Sequence, residues 1–120
     1  MIIRIDDRNA LKGALQELAE YLQEASSSEE GLFHSKLVVS ELVGNVFRHS
    51  EGGASVTLER TGAFVHLTVH ATKPFYPPEK STLSDVYAES GRGLFIVDSV
   101  CEERTTTAEG GICVKVRIQK

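Results

Sequence analysis

Residues 41–50 read ELVGNVFRHS, a stretch that combines an apolar helix face with three polar residues in one row. Glu41, Asn45 and His49 recur at intervals of four, so a helix places them along one side. A carboxylate, an amide and an imidazole in this arrangement can hold a hydrated divalent cation and activate a hydroxyl group. The alternative is the polar edge of an amphipathic helix, which the spacing by itself favours.

The composition indicates one ordinary globular domain over residues 1–120. Its 13 basic and 17 acidic residues give a net charge of −4 without a basic cluster, so we expect no nucleic-acid partner. The first residues contain no long apolar run, which argues against a signal peptide, a membrane span and a membrane partner. Cys101 and Cys113 fit no metal or disulfide pattern, so we expect reduced thiols and a cytoplasmic protein.

Hydropathy patterning predicts the element order β, α, α, β, β, long loop, α, β, β. This order indicates an α+β fold, a two-layer α/β sandwich with one mixed, mostly antiparallel sheet and helices on one face. The predicted strands are 1–5, 54–60, 64–70, 104–108 and 112–118. The predicted helices are 8–24 with Asp6 and Asp7 as caps, a second from a Ser27–Glu30 capping box to Gly52-Gly53, and a third to about Cys101.

Residues 71–90 form the least regular part of the chain and contain all three prolines. A connection of this length inside a compact domain is usually functional or mobile. We expect at most a short helix in it, around Thr82–Tyr87. Immediately beyond it, Gly91 and Gly93 flank Arg92 at the start of an apolar helix. Such a start is a natural phosphate cradle, although a turn that simply requires glycine has the same pattern.

The order of these two motifs resembles the Bergerat-type (GHKL, histidine kinase-like) ATP-binding fold. ELVGNVFRHS looks like the N-box of that family, on the helix before a hairpin. GRGLFIVDSV looks like its second glycine box, which follows a long loop and opens the next helix. The resemblance extends from about Leu11 to Ile118. The small size looks most like one branch, the anti-sigma factor serine kinases of bacterial sporulation and stress regulation.

The resemblance implies ATP and Mg²⁺ as ligands, and it implies a role for each matching residue. Glu41 would be the general base, Asn45 the Mg²⁺ ligand, Arg48 a basic contact to the phosphates and His49 the end of the box. Backbone contacts to the phosphates would come from Gly91, Arg92, Gly93 and Leu94, with residues 76–90 as the ATP lid.

One family box is altered, at the end of the second hairpin strand, where VHATKPFYPP stands. Ala71 occupies the position of an aspartate that binds the adenine amino group, and Lys73 and Phe75 occupy glycine positions. Alanine cannot accept that hydrogen bond, and the loss of one buried partner costs about 1–3 kcal/mol. Two options follow: a weakened but competent ATP site, or a degenerate site whose surface binds partners without phosphorylating them.

The resemblance therefore implies a regulator that binds a sigma factor, a STAS-domain anti-anti-sigma protein, or both, and that phosphorylates a partner serine if it is active. Family members commonly dimerise, and helix 8–24 with the early sheet residues would supply the interface. The main alternative is a non-catalytic interaction module. A histidine kinase fragment would be preceded by a phospho-acceptor helix, and a metal-dependent hydrolase built on Glu41 and His49 would need a different ligand spacing.

Overall fold

The computed structural model describes residues 1–73 and 92–119, except for the side chains of residues 92–94. Its elements are β1 (Ile2–Ile5), a 3-10 turn (Arg8–Ala10), α1 (Leu11–Glu24), α2 (Glu29–His49), β2 (Ala54–Thr61), β3 (Phe64–Ala71), α3 (Arg92–Val100), β4 (Glu103–Thr106) and β5 (Ile112–Arg117). The predicted helix at 82–87, the proposed lid at 76–90, Phe75 and Gly91 lie outside the described residues.

The strands form one five-stranded sheet in the order β1-β2-β3-β5-β4, with β1 and β4 at its edges. Val65, Leu67 and Val69 alternate along β3 and are wholly buried under the helical layer. The predicted two-layer α/β sandwich is therefore confirmed. Every pair among the described strands is antiparallel, so the sheet there is not mixed. No helix of the described chain is long and apolar enough to cross a membrane.

Side-chain caps define where the helical segments begin. Asp7 accepts a hydrogen bond from the Ala10 N–H over 3.0 Å, which confirms it as a cap. The predicted Ser27–Glu30 capping box is wrong by one residue, because Ser28 is the N-cap of α2 and its Oγ accepts from Gly31 N–H at 3.0 Å. A contact outside the helix fixes Ser28 in the N-cap position, because the Ser28 N–H donates a hydrogen bond to the Ile118 carbonyl over 2.7 Å.

The end of α2 also differs from the prediction. The helix ends at His49 and not at Gly52-Gly53, because Ser50 adopts an extended backbone and its Oγ accepts a hydrogen bond from Gly52 N–H at 3.1 Å. β4 is likewise shorter than predicted, because Thr107 already belongs to the turn: its carbonyl accepts from Gly110 N–H at 3.0 Å. These two turns start β2 and β5 in register with β3.

Candidate functional site

The polar row of the N-box-like stretch lies on a single uninterrupted helix, α2. Asn45 is buried with 1% of its surface exposed, whereas Glu41 and His49 are half-buried. Four residues advance a helix by about 40° more than one full turn, so the row drifts around α2 and its members meet different surroundings. Val43 and Val46, on either side of Asn45, are wholly buried, so the side-chain amide of Asn45 lies in the protein interior.

Asn45 is held by its neighbour one turn later. Arg48 donates a hydrogen bond from Nη2 to Asn45 Oδ1 over 3.0 Å. The amide Nδ2 of Asn45 is buried and has no acceptor among the described residues. A buried donor left without a partner costs about 1–3 kcal/mol, so the Asn45 amide lowers the stability of the folded domain. The Asn45 oxygen is the hard neutral ligand that Mg²⁺ accepts, although in this conformation it faces a guanidinium group.

Ala71, at the adenine position of the resemblance, lies at the end of β3 opposite Ala54 of β2. It continues the alternation of Val69 and packs against the core, so it faces the helical layer that contains Asn45. The preceding residue, His70, faces the other way, as the alternation predicted, and its Nε2 lies 2.9 Å from Thr107 Oγ1. The sheet therefore places Ala71 and α2 on the same side.

A contact that the sequence did not indicate ties the end of β3 to the turn after α2. Thr72 Oγ1 accepts from Gly53 N–H at 3.0 Å and donates to the Gly53 carbonyl at 3.1 Å. Ser50 Oγ donates to the Lys73 carbonyl at 3.3 Å. The Lys73 side chain crosses Gly52 so closely that a Cβ there would lie 2.7 Å from Lys73 Cγ. Lys73 thus packs on the turn, and Ala71 is fixed beside the carboxyl end of α2.

Two cavities lie at opposite ends of α2. The one at the carboxyl end of α2 has a volume of about 230 Å³ and is lined by Arg48, His49, Ser50 and Glu51. The larger one, of about 520 Å³, lies between the start of α2 and the end of α3 and includes Gly31 and His34 in its lining. Residues 31 and 45 are roughly 21 Å apart along a helix, so the larger cavity is separate from the site at Asn45.

The second glycine motif opens α3, as the sequence predicted: Arg92, Gly93 and Leu94 are its first residues. α3 packs on α2, and its carboxyl end borders the amino end of α2 in the larger cavity. Nine helical residues span about 13 Å. We infer that the amino end of α3 points along α2 towards the half that contains Glu41 and Asn45.

An ion pair fixes the other end of α3 to the sheet. Arg104 of β4 donates from Nε to Asp98 Oδ1 at 2.7 Å and from Nη2 to Oδ2 at 3.2 Å. The hydrogen bond with Asp98 raises the pKa of Arg104 above its ordinary value. Burial, and then the charge of Asp98, raise the pKa of the nearby Cys101 thiol above 9.0. The ion pair between Arg104 and Asp98 thus connects the carboxyl-terminal half of α3 to β4.

Comparison with known families agrees with this architecture. The family model of the histidine kinase-like ATPase domain matches residues 6–120, which is nearly the whole chain. The chain belongs to the histidine kinase-like ATPase family. None of the curated proteins matches the chain.

Proposed function

We propose that this chain is a cytoplasmic ATP-dependent protein serine kinase of the anti-sigma factor type. One observation carries the proposal: a wholly buried amide, Asn45, remains in the apolar interior of α2 with an unpartnered Nδ2 and with Arg48 on its oxygen. Such a polar group destabilises the domain unless it serves a ligand. The resemblance of its motif to the N-box supports the proposal, since it implies that this residue binds the metal of MgATP.

Each site residue has a defined part in the proposed transfer. Asn45 would hold Mg²⁺ through Oδ1, and Arg48 with the backbone of residues 91–94 would contact the phosphates. When bound, the metal would supply charge neutralisation on those phosphates. Glu41 accepts the hydroxyl proton of a partner serine, whose oxygen bonds to the γ-phosphorus while the bond from that phosphorus to the ADP oxygen breaks. A positioned general base typically contributes about 10²–10⁴-fold to such a step.

The partner that carries the serine is, in this proposal, a STAS-domain anti-anti-sigma protein, and a sigma factor is the second partner. We also propose a homodimer, formed by α1 and the early sheet residues. Met1 and Ile2, at the start of β1, support an interface at this edge, since they are 52% and 66% exposed. Exposed apolar residues on an edge strand are frequent at protein interfaces.

A second candidate function is a non-catalytic interaction module on the same fold. Ala71 supports it, because this residue faces the helical layer and has no group to accept a hydrogen bond from adenine. The module would bind the same sigma factor or STAS partner without nucleotide.

Calorimetric titration with ATP and ADP in the presence of Mg²⁺ separates the two candidates. A kinase binds nucleotide at micromolar concentration, and Asn45→Asp weakens that binding because a second carboxylate repels the phosphates. No heat at millimolar nucleotide, together with a stable complex with the STAS partner, overturns the kinase and supports the module.

Phosphate transfer is tested with a STAS-domain protein encoded by the same genome. Phosphoserine is expected on that protein by mass spectrometry. Glu41→Gln should abolish transfer while leaving ATP affinity unchanged, since the carboxylate acts on the serine and not on the nucleotide. Glu103→Gln, an exposed change on β4 at the sheet edge opposite β1, is the matched control and should retain transfer. Equal transfer by the native chain and Glu41→Gln would contradict the role of Glu41.

A further inference from the structure

The hydrogen bond between Arg48 and Asn45 occupies the atom that a metal would need. A guanidinium group can only donate, so its contact at 3.0 Å identifies the atom facing it as the amide oxygen. That oxygen is the group through which asparagine binds Mg²⁺. The amide nitrogen is turned the opposite way and has no acceptor within the described part of the chain.

A divalent cation is therefore disfavoured at Asn45 Oδ1 while Arg48 remains in place. The oxygen has a second lone pair, but the cation and the guanidinium are both positively charged and would meet at one oxygen of a residue that is 1% exposed. Charges repel more strongly in such surroundings than in water. Metal binding is therefore much stronger once Arg48 has left the oxygen.

Arg48 has room to leave. Its side chain is exposed at the carboxyl end of α2, and it lines the cavity of about 230 Å³ together with His49, Ser50 and Glu51. A phosphate group offers the guanidinium two oxygens in a geometry that fits its paired donors, and such charge-assisted pairs are stronger than a bond to a neutral amide. An entering phosphate thus draws Arg48 away from Asn45.

We propose that Arg48 is a latch on Asn45, which a phosphate group releases, so that an anion must bind before the divalent cation. The latch rests on the proposed triphosphate site, and it adds an order of binding to it. It prevents metal from occupying the site without nucleotide, and it makes Arg48 a positioning residue for Asn45 as well as a phosphate contact. A merely structural contact between residues three apart on a helix would impose no order.

The side-chain amide of Asn45 reports on the latch directly by NMR, with its resonance assigned through its loss in Asn45→Asp. In the native protein, Mg²⁺ alone should leave this resonance unchanged at the concentrations that shift it in Arg48→Met, and should shift it only at much higher ones. Pyrophosphate without metal should shift it as Arg48 departs, and Mg²⁺ added afterwards should shift it again.

Arg48→Met removes the latch at an exposed position and keeps the aliphatic part of the side chain. In this variant, Mg²⁺ alone should shift the Asn45 resonance at a concentration about ten- to hundredfold below that needed in the native protein, the range expected when a hydrogen bond to a charged group need not be broken. Arg48→Lys is the matched control and should retain the native order, because lysine keeps the charge and a donor.

The outcomes separate the latch from the proposed function. If MgATP binds the native protein, and Mg²⁺ alone acts equally on the native protein and on Arg48→Met, the latch is overturned and the ATP site stands. If pyrophosphate, ATP and Mg²⁺ all leave Asn45 unchanged in every variant, both proposals are overturned.

Discussion

Gly31 of α2 lies directly against the backbone of Ile118, which follows β5. A Cβ carbon at residue 31 would come within 2.7 Å of Ile118 Cα and 2.8 Å of the Arg117 carbonyl oxygen. This close approach seats the amino end of α2 on the sheet and positions the helix that carries Asn45.

Gly31→Ala should therefore destabilise the domain. Alanine is the better helix former by about 1 kcal/mol, but overpacking against backbone costs about 1–3 kcal/mol, and backbone atoms cannot rotate away. We expect a net loss of up to about 2 kcal/mol in the free energy of unfolding, measured by urea denaturation.

Gly13→Ala is the matched control for that change. Gly13 is also helical, it is exposed on α1, and a Cβ there would have no neighbour within 4 Å. This variant should gain about 0.5–1 kcal/mol. Equal effects of the two substitutions on stability would contradict the close packing of α2 on Ile118.

Asn45→Leu should raise the stability of the protein. Leucine has the same four-atom branched side-chain skeleton, joins the buried neighbours of Asn45 and removes a buried donor that has no acceptor in the described chain. Removal of an unpaired buried donor raises the free energy of unfolding by about 1–3 kcal/mol. Loss of the hydrogen bond from Arg48 offsets part of that gain. We expect a gain of about 1 kcal/mol in urea denaturation and loss of Mg²⁺-dependent nucleotide binding. A less stable variant would mean that Asn45 Nδ2 has a hydrogen-bond acceptor in solution.

Cys101 should react slowly with alkylating reagents because its thiol pKa is raised. Burial is the first cause of the raised pKa and the charge of Asp98 is the second, while Arg104 opposes them. Asp98→Asn should lower the pKa and accelerate alkylation at pH 8–9, followed by mass spectrometry in a Cys113→Ser background. Glu102→Gln is the control, since Glu102 does not shift this pKa. An unchanged rate in Asp98→Asn would refute the electrostatic cause.

The same pKa predicts how stability depends on pH. The folded-state pKa of Cys101 lies above the unfolded value of 9.0, so the folded protein retains the thiol proton more strongly. The contribution to stability is fully present below pH 9.0 and is lost as the pH rises through the folded-state pKa. Cys101→Ala should reduce the decline in the free energy of unfolding above that pH, measured by urea denaturation at a series of pH values.

The sequence was sufficient to predict the fold because its strongest patterns are local. Alternation along β2 and β3 defined a hairpin, and the predicted turn is present, with Gly62 at a φ of 60°. The start of α2 was misplaced by one residue because three consecutive serines, 26–28, offer equivalent hydroxyls. The choice among them depends on the bond from Ser28 to Ile118, which lies 90 residues away in sequence.

The site was predicted less completely than the fold, for a similar reason. The helical spacing placed Glu41, Asn45 and His49 on α2, but spacing does not reveal which of them is buried. The direction of the Arg48 side chain depends on rotamers that the sequence does not specify. The hydrogen bonds between Thr72 and Gly53 join residues that are 19 apart in the sequence, and no sequence motif indicates them.

Ala71→Asp should restore an adenine-binding carboxylate. Ala71 faces the helical layer at the end of β3, on the same side of the sheet as α2. A carboxylate there can accept a hydrogen bond from the adenine amino group. One recovered buried hydrogen bond is worth about 1–3 kcal/mol, or roughly ten- to hundredfold in affinity. ATP affinity should rise by that factor in calorimetry, whereas GTP affinity should not, because guanine presents a carbonyl where adenine presents the amino group.

Ser55→Asp supplies the matched control for this last change. Ser55 pairs with His70 on β3, so its side chain lies on the open face of the sheet, and the variant adds the same charge on the wrong side. It should leave ATP affinity unchanged. If Ala71→Asp gives no gain over this control, the missing aspartate alone does not explain a weak site. Lys73 and Phe75, which stand at the two glycine positions of the resemblance, would then be the next residues to replace by glycine.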